Sequence, residues 1–464
     1  IACATNGQTK GNLSFKAECN NVFVDTANFS PNGLYVMPPD DFAITSPGIG
    51  LTVTGGVSGS TTLQIGSGHT ISGTLSSIGG GTLNTIGTST CSVIAGGNSN
   101  CIGDTCANTS AIVGGTSNCV LGKCGFIGAG ESNTISFQMD NGAIAGGDSN
   151  LVCAPCGFIG GGVGNEIVRN LMSTTGCAAV IGGGGTNVTN ANHSFIGGGC
   201  SNCISCAGRC SFIGGGNSNT SCGACNVIVG GTLNIASSGY GFIGGGCNNE
   251  IYDYSPLSVI VGGGNNKIEC CTSNFIGGGE SNTISGYYYN VIVGGISNTI
   301  SNYIRGGFIG AGSSNSTYSQ YSVIVGGQNN SLSGGYNNAI VAGKLNTISG
   351  NYKDHSFIGA GNKNLITETN SSIVGGTLNT ASAACSFIGG GHNNLTKTCT
   401  YSNSYGVSIS EGKGSLIVGG TLNTSSTDYS FIGGGKNNFI NVSSRSGYCP
   451  EGGCSVIAGG QDNI

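Results

Sequence analysis

Tryptophan is missing from the 464 residues, and charge is scarce: 14 Lys+Arg and 19 Asp+Glu make up 7% of the chain, against roughly 25% in an ordinary soluble domain. With a net charge of −5 and no Lys/Arg cluster, a basic nucleic-acid-binding surface is excluded. Proline is rare (7 residues) while apolar residues reach 38%, which is not the composition of a disordered chain. No run of about 18 apolar residues exists to form a membrane-spanning helix. The four histidines, His69, His193, His355 and His392, fall in separate stretches, so no triad or zinc site assembles. Carboxylates such as Glu131 and Glu280 are equally scattered, and sugar-cleaving sites need paired acids. No catalytic residue, cofactor or metal is expected.

What the chain does have is glycine, 91 residues of it, arranged as a repeat. Phe-Ile-Gly-Gly-Gly-x-x-Asn recurs, as in Phe195–Asn202 and Phe387–Asn394, interleaved with Val-Ile-Val-Gly-Gly-x-x-Asn, as in Val227–Asn234. Aligned on the last Asn there are 23 copies between Asn84 and Asn463, mostly 15 to 18 residues apart. A period this short indicates a solenoid, one copy per turn.

Six residues before each Asn stands an Ile, and two residues after it usually another aliphatic. These positions are eight apart, half a rung. Each rung therefore reads as two short strands and two turns, with one inward residue per strand. Ile127, Ile196, Ile228, Ile276, Ile292 and Ile388 are predicted core. Helix is excluded, because adjacent glycines each cost about 1 kcal/mol relative to Ala. Gly is invariant three residues before the Asn, while four before it is Gly or Ala. Asn133, Asn202, Asn219, Asn234, Asn249, Asn266, Asn282, Asn298, Asn330, Asn394 and Asn438 are predicted to stack as a hydrogen-bonded ladder at ~4.8 Å spacing. A calcium-binding roll would need an Asp near each turn, and these turns carry almost none.

The residues flanking the inward Ile on its first strand are apolar too. Phe126, Phe195, Phe242, Phe275, Phe308, Phe387 and Phe431 pair with Gly two positions on, whereas Val227, Val259 and Val291 pair with Val. A strand apolar on both faces is buried on both. A two-sheet roll hides only one, so the second row is predicted to be an oligomer face, most economically a homotrimer or fibre bundle. An intrachain layer or another partner is the alternative cover.

The phase-locked Ser-Val/Phe-Ile-Gly and Asn-x-Ile-Ser-Gly units resemble the head repeats of trimeric autotransporter adhesins. That resemblance implies a left-handed parallel β-roll in an intertwined trimer. Similar Gly-rich coils occur in fibre proteins of large viruses and phages. Neither family supplies catalytic residues to carry over.

Length variation falls on one edge, in Val168–Ala178, Lys397–Gly414 and Asn441–Gly453. These loops are rich in Ser, Asn, Gly and Tyr, a composition shared with binding surfaces. Tyr capping the wet end of an apolar stack explains it equally well. Most of the 23 cysteines lie on this edge. Seven share the phase nine before the Asn: Cys91, Cys124, Cys156, Cys210, Cys225, Cys385 and Cys454. Cys3 and Cys19 are a disulfide candidate in the N-terminal region. Further candidates are Cys101 with Cys106 and Cys119 with Cys124 (loop-local or cross-rung), Cys153 with Cys156, Cys222 with Cys225, and Cys449 with Cys454. Such usage suits an extracellular or virion surface. Cys200, Cys203, Cys206 and Cys210 have iron–sulfur spacing. However, Ser211 replaces the usual Pro, and two of the four straddle the ladder residue Asn202.

The fold expected is therefore all-β: a small N-terminal β cap or attachment domain over 1–76, then a parallel β-solenoid of about 23 rungs over 77–464, about 110 Å long at that spacing. The chain begins at Ile1 without an initiator Met, as a processed or partial chain would. The function expected is a non-enzymatic fibre or spike of a virion or cell-surface appendage, with the variable edge contacting a host or neighbouring fibres. The alternative is a glycan-binding or glycan-cleaving tail protein.

Overall fold

The structure, a computed structural model, describes residues 27–30, 33–36, 63–168, 178–205, 207–301, 303–350, 354–402, 408–411, 413–441 and 454–464. The chain divides into two compact units, 1–61 and 62–464. In the first, Ala27–Ser30 pairs antiparallel with Gly33–Val36. Both members of the expected N-terminal disulfide, Cys3 and Cys19, lie outside the described residues. So do Cys206 and Cys449, the latter the expected partner of Cys454.

The second unit is a parallel β-solenoid. One sheet runs from Leu63–Gln64 to Val456–Ile457, and holds the Phe-Ile and Val-Ile strands. Phe212, Val227 and Phe242, for example, sit in register on successive rungs. The other sheet runs from Thr70–Ile71 to Phe439–Ile440 and holds the strands that follow each Asn. A third column of parallel bridges joins the glycine turns, as at Cys200, Asn217 and Thr232. The solenoid thus starts a rung earlier than residue 77. Leu63–Gln64 already pairs with Ser77–Ile78, in a copy that lacks the Gly-Gly-x-x-Asn signature.

Each rung consists of two similar halves. In Cys91-Ser92-Val93-Ile94 and Ser99-Asn100-Cys101-Ile102 a left-handed residue (φ 57° and 54°) is followed by a buried polar residue, an outward residue and an inward Ile. The inward Ile residues of both sheets, the predicted core among them, are buried, with only the terminal Ile71 and Ile457 partly so, and each buried one stabilises the coil by about 2–3 kcal/mol.

Buried polar residues at both corners carry the rungs' register. The Asn234 amide nitrogen and side-chain Nδ2 donate to Asn219 Oδ1 at 3.0 and 3.1 Å. Its Nδ2 also donates to the carbonyls of Gly230 in its own turn and Gly246 in the next, at 3.0 and 3.1 Å. The other predicted ladder asparagines are buried in the same way. A second ladder, absent from the expectations above, occupies the opposite corner. There Ser211 Oγ accepts from the Asn226 amide (3.1 Å), and Asn226 Oδ1 accepts from the Gly241 amide (2.7 Å).

The invariant glycine is explained by stacking. Gly231 has φ +93°, and a Cβ there would meet the Gly246 carbonyl oxygen at 2.2 Å and Asn234 Nδ2 at 2.5 Å. At Gly230, one residue earlier, a Cβ would meet nothing within 4 Å. That is the position where Ala129, Ala311, Ala342 and Ala360 stand.

Candidate interaction surfaces

The outward positions of the first sheet alternate with its inward Ile and run along the whole described solenoid. In a Phe rung the ring lies back along its own strand over the glycine two residues on. A Cβ at Gly214 would be 3.2 Å from the Phe212 ring and 2.3 Å from the Val229 carbonyl oxygen of the next rung. Large-plus-small is therefore fixed from two sides. In most of the other rungs, such as Val227/Val229, Val259/Val261 and Val291/Val293, both positions carry medium side chains, while Ser77/Gly79 and Val180/Gly182 depart from this. Phe195 and Phe212, on adjacent rungs, stack with ring centroids 5.4 Å apart and 3° between planes.

This row is wet in the single chain. Phe126 is 43% exposed, Phe195 39% and Val229 49%. Phe242, Phe275, Phe308, Phe387, Phe431, Val227, Val259 and Val291 are half-buried. No charged residue interrupts it from Ser77/Gly79 through Val456/Ala458. The corresponding row on the second sheet is different. It carries Thr85, Thr134, Glu166, Thr220, Glu250 and Lys267, among others, and Lys267 Nζ donates to Tyr252 Oη at 3.3 Å. The hydrogen bond to Glu250, with burial, pushes the Tyr252 phenol up. One face is apolar and uncharged; the other is mixed and polar.

The variable edge holds the inserts. Across Lys397–Gly414 the sheets close without a break, Phe387 pairing with Leu416 and Leu395 with Thr424, and part of the insert forms its own hairpin, Cys399–Ser402 with Ser408–Glu411. Tyrosines crowd this edge. Tyr254 is 88% exposed and Tyr289 71%. Tyr287 meets Tyr303 edge-on at 5.1 Å, and the Arg305 guanidinium lies 5.4 Å from the Tyr288 ring centroid. Some rings also have a packing role: a Cβ at Gly306 would fall 2.8 Å from Tyr321 Cδ1.

The cysteines occupy three environments. Cys91, Cys124, Cys156, Cys210, Cys225 and Cys385 sit in the left-handed conformation at the variable edge, with φ between 54° and 58°. Cys200 is exposed at a glycine turn and Cys203 is half-buried on the strand that follows, while Cys210 lies at the opposite corner. Among the described residues no three His, Cys, Asp or Glu side chains gather to hold a metal. All described disulfide candidates are free thiols: Cys101, Cys106, Cys119, Cys124, Cys153, Cys156, Cys222, Cys225 and Cys454. Cys153 meets Ser136 Oγ on the preceding rung at 2.9 Å and Cys156 is exposed at the corner; Cys222 follows a strand and Cys225 is at the next corner. Of the loop-local and cross-rung alternatives left open for the Cys101/Cys106 and Cys119/Cys124 pairs, the cross-rung one brings residues into register: Cys101 and Cys119 are partners on adjacent rungs.

His69 is a further residue the repeat pattern did not single out. It stands where the ladder Asn would be, its Nδ1 accepting from the Asn84 amide at 3.1 Å and its Nε2 meeting the Ile65 carbonyl at 3.0 Å. An imidazole thus reproduces both the acceptor and the donor of the amide. No helix among the described residues is long and apolar enough to cross a membrane.

No protein-family model matches the chain, and a search of the curated proteins finds none that matches it.

Proposed function

We propose that the chain is a structural fibre or spike segment: a rigid rod that assembles with further copies of itself through the apolar face of its first sheet. Its variable loop edge would meet a host surface or neighbouring fibres, in an extracellular or virion setting. The observation that carries this reading is the uncharged, half-wet row from Ser77 to Ala458 beside a polar row on the other sheet. Stable associations bury about 800 Å² per partner, and a row of this length, with residues such as Phe195 and Val229 at 39% and 49% exposure, offers an area of that order. In register, Phe/Gly rungs of one copy meet a surface of constant volume, as close packing requires.

Electron microscopy of the full chain tests the proposal. Rods about 110 Å or longer, wider than one coil, are expected, and Val229→Asp with Val261→Asp should thin them to single coils. Compact particles, or rods unchanged by the two substitutions, would contradict it.

A second reading, glycan recognition, draws support from the exposed tyrosines beside Arg305, since aromatic rings and a guanidinium suit sugar faces and hydroxyls. Glycan-array binding lost on Tyr289→Ala and Tyr303→Ala would favour it; an empty array would remove it.

A further inference from the structure

We infer that Cys101 and Cys119 form a cross-rung disulfide, a redox-controlled staple between adjacent coils of the second sheet. The two residues are Cα partners in a parallel pair, so their Cα atoms lie at the strand spacing of ~4.8 Å, inside the usual disulfide window of about 4.4–6.8 Å. Both are on the outward face and half-buried, reachable by a small molecule and shielded from a large one. They interrupt a threonine column, with Thr85 below and Thr134 above. The neighbouring Cys119 thiol holds Cys101 down to about 7. The same contact pushes Cys119 up, because the pair gives up its first proton readily and its second reluctantly. Cys101 is therefore the attacking sulfur and Cys119 the resolving one.

The oxidant is a low-molecular-weight disulfide. Cys101 thiolate attacks one of its sulfurs, breaking that S–S bond and releasing one thiolate. Cys119, deprotonated by the released base, then attacks Cys101 Sγ and displaces the second. Two protein thiols are oxidised by two electrons, the small disulfide is reduced to two thiols, and the two protons end on them. The bond ties residues 18 apart in sequence across one hydrogen-bonded step of the ladder. It is read on the chain itself and does not depend on the fibre reading.

The test treats the folded full chain with oxidised glutathione, blocks remaining thiols with iodoacetamide and cleaves before Asp104, the only acidic residue between the two cysteines. The fragments on either side of the cut should stay joined, with a mass about 2 Da below their sum, and separate on reduction. Cys101→Ser and Cys119→Ser should each abolish the link, while Cys91→Ser and Cys106→Ser should keep it. A link that survives either of the first two variants, or alkylation of both Cys101 and Cys119 after oxidation, would overturn the assignment.

Discussion

At the scale of the residue, adjacent glycines have opposite obligations. Gly230 faces open space and Gly231 faces the next rung's backbone. Gly230→Ala should therefore change stability by no more than about 0.5 kcal/mol, whereas Gly231→Ala, meeting a carbonyl oxygen with φ +93°, should cost on the order of 3 kcal/mol. Urea melts of the two variants check this, and equal midpoints would refute the stacking account. The sequence carried this contrast openly, in the Gly-or-Ala tolerance at one position and the invariance at the next. His69 was hidden for a related reason: a ring that offers one acceptor and one donor does the work of an amide without looking like one. His69→Asn should leave the first rungs intact, and His69→Ala should raise amide exchange near Asn84, whose N–H loses its acceptor. The thiol pair adds a pH dependence. With Cys101 held to about 7 by its neighbour, its alkylation rate should climb as pH rises through about 7 and level off above it. In Cys119→Ala the climb should move toward the usual thiol range, and an unmoved profile would argue against the contact.

Among elements, the rung is the unit, and each rung is two halves that present a polar corner and an inward Ile. The Asn corner was legible because its amide makes four or five bonds that no other side chain supplies, so the residue recurs in phase. The opposite corner was not, because its task is lighter: Ser211 Oγ or Asn226 Oδ1 need only accept the next rung's amide, and Ser, Asn and Gly alternate there. Left-handed φ at Cys91 and Ser99 was equally invisible, since no single residue type marks it. The two ladders predict unequal losses. Asn234→Ala strands the Asn249 amide, which now donates to Asn234 Oδ1 at 3.0 Å, and takes a donor from the carbonyls of Gly230 and Gly246, the second of which keeps the Thr232 N–H. It should cost about 3 kcal/mol or more. Ser211→Ala removes one acceptor of the Asn226 amide and should cost about 1–2 kcal/mol. Thermal melts rank them, and the reverse order would mean that the second corner carries the register.

For the whole molecule, the alternation of Phe/Gly and Val/Val rungs makes sense only as one surface. Periodicity exposed the apolar row because apolar residues on both faces of a strand leave an unmistakable pattern, and the structure leaves that row wet on a single coil. What would lie against it, on the proposed reading, is a second chain, which one sequence encodes only as an uncovered face. The loop edge is less legible still: its inserts differ in length and share composition rather than pattern. Sedimentation equilibrium of the full chain at micromolar concentration addresses the face most directly. A mass that is a whole multiple of one chain, falling to that of one chain when Val229 and Val261 become Asp, is the expected result. A stable single-chain mass for the unmodified protein would contradict it.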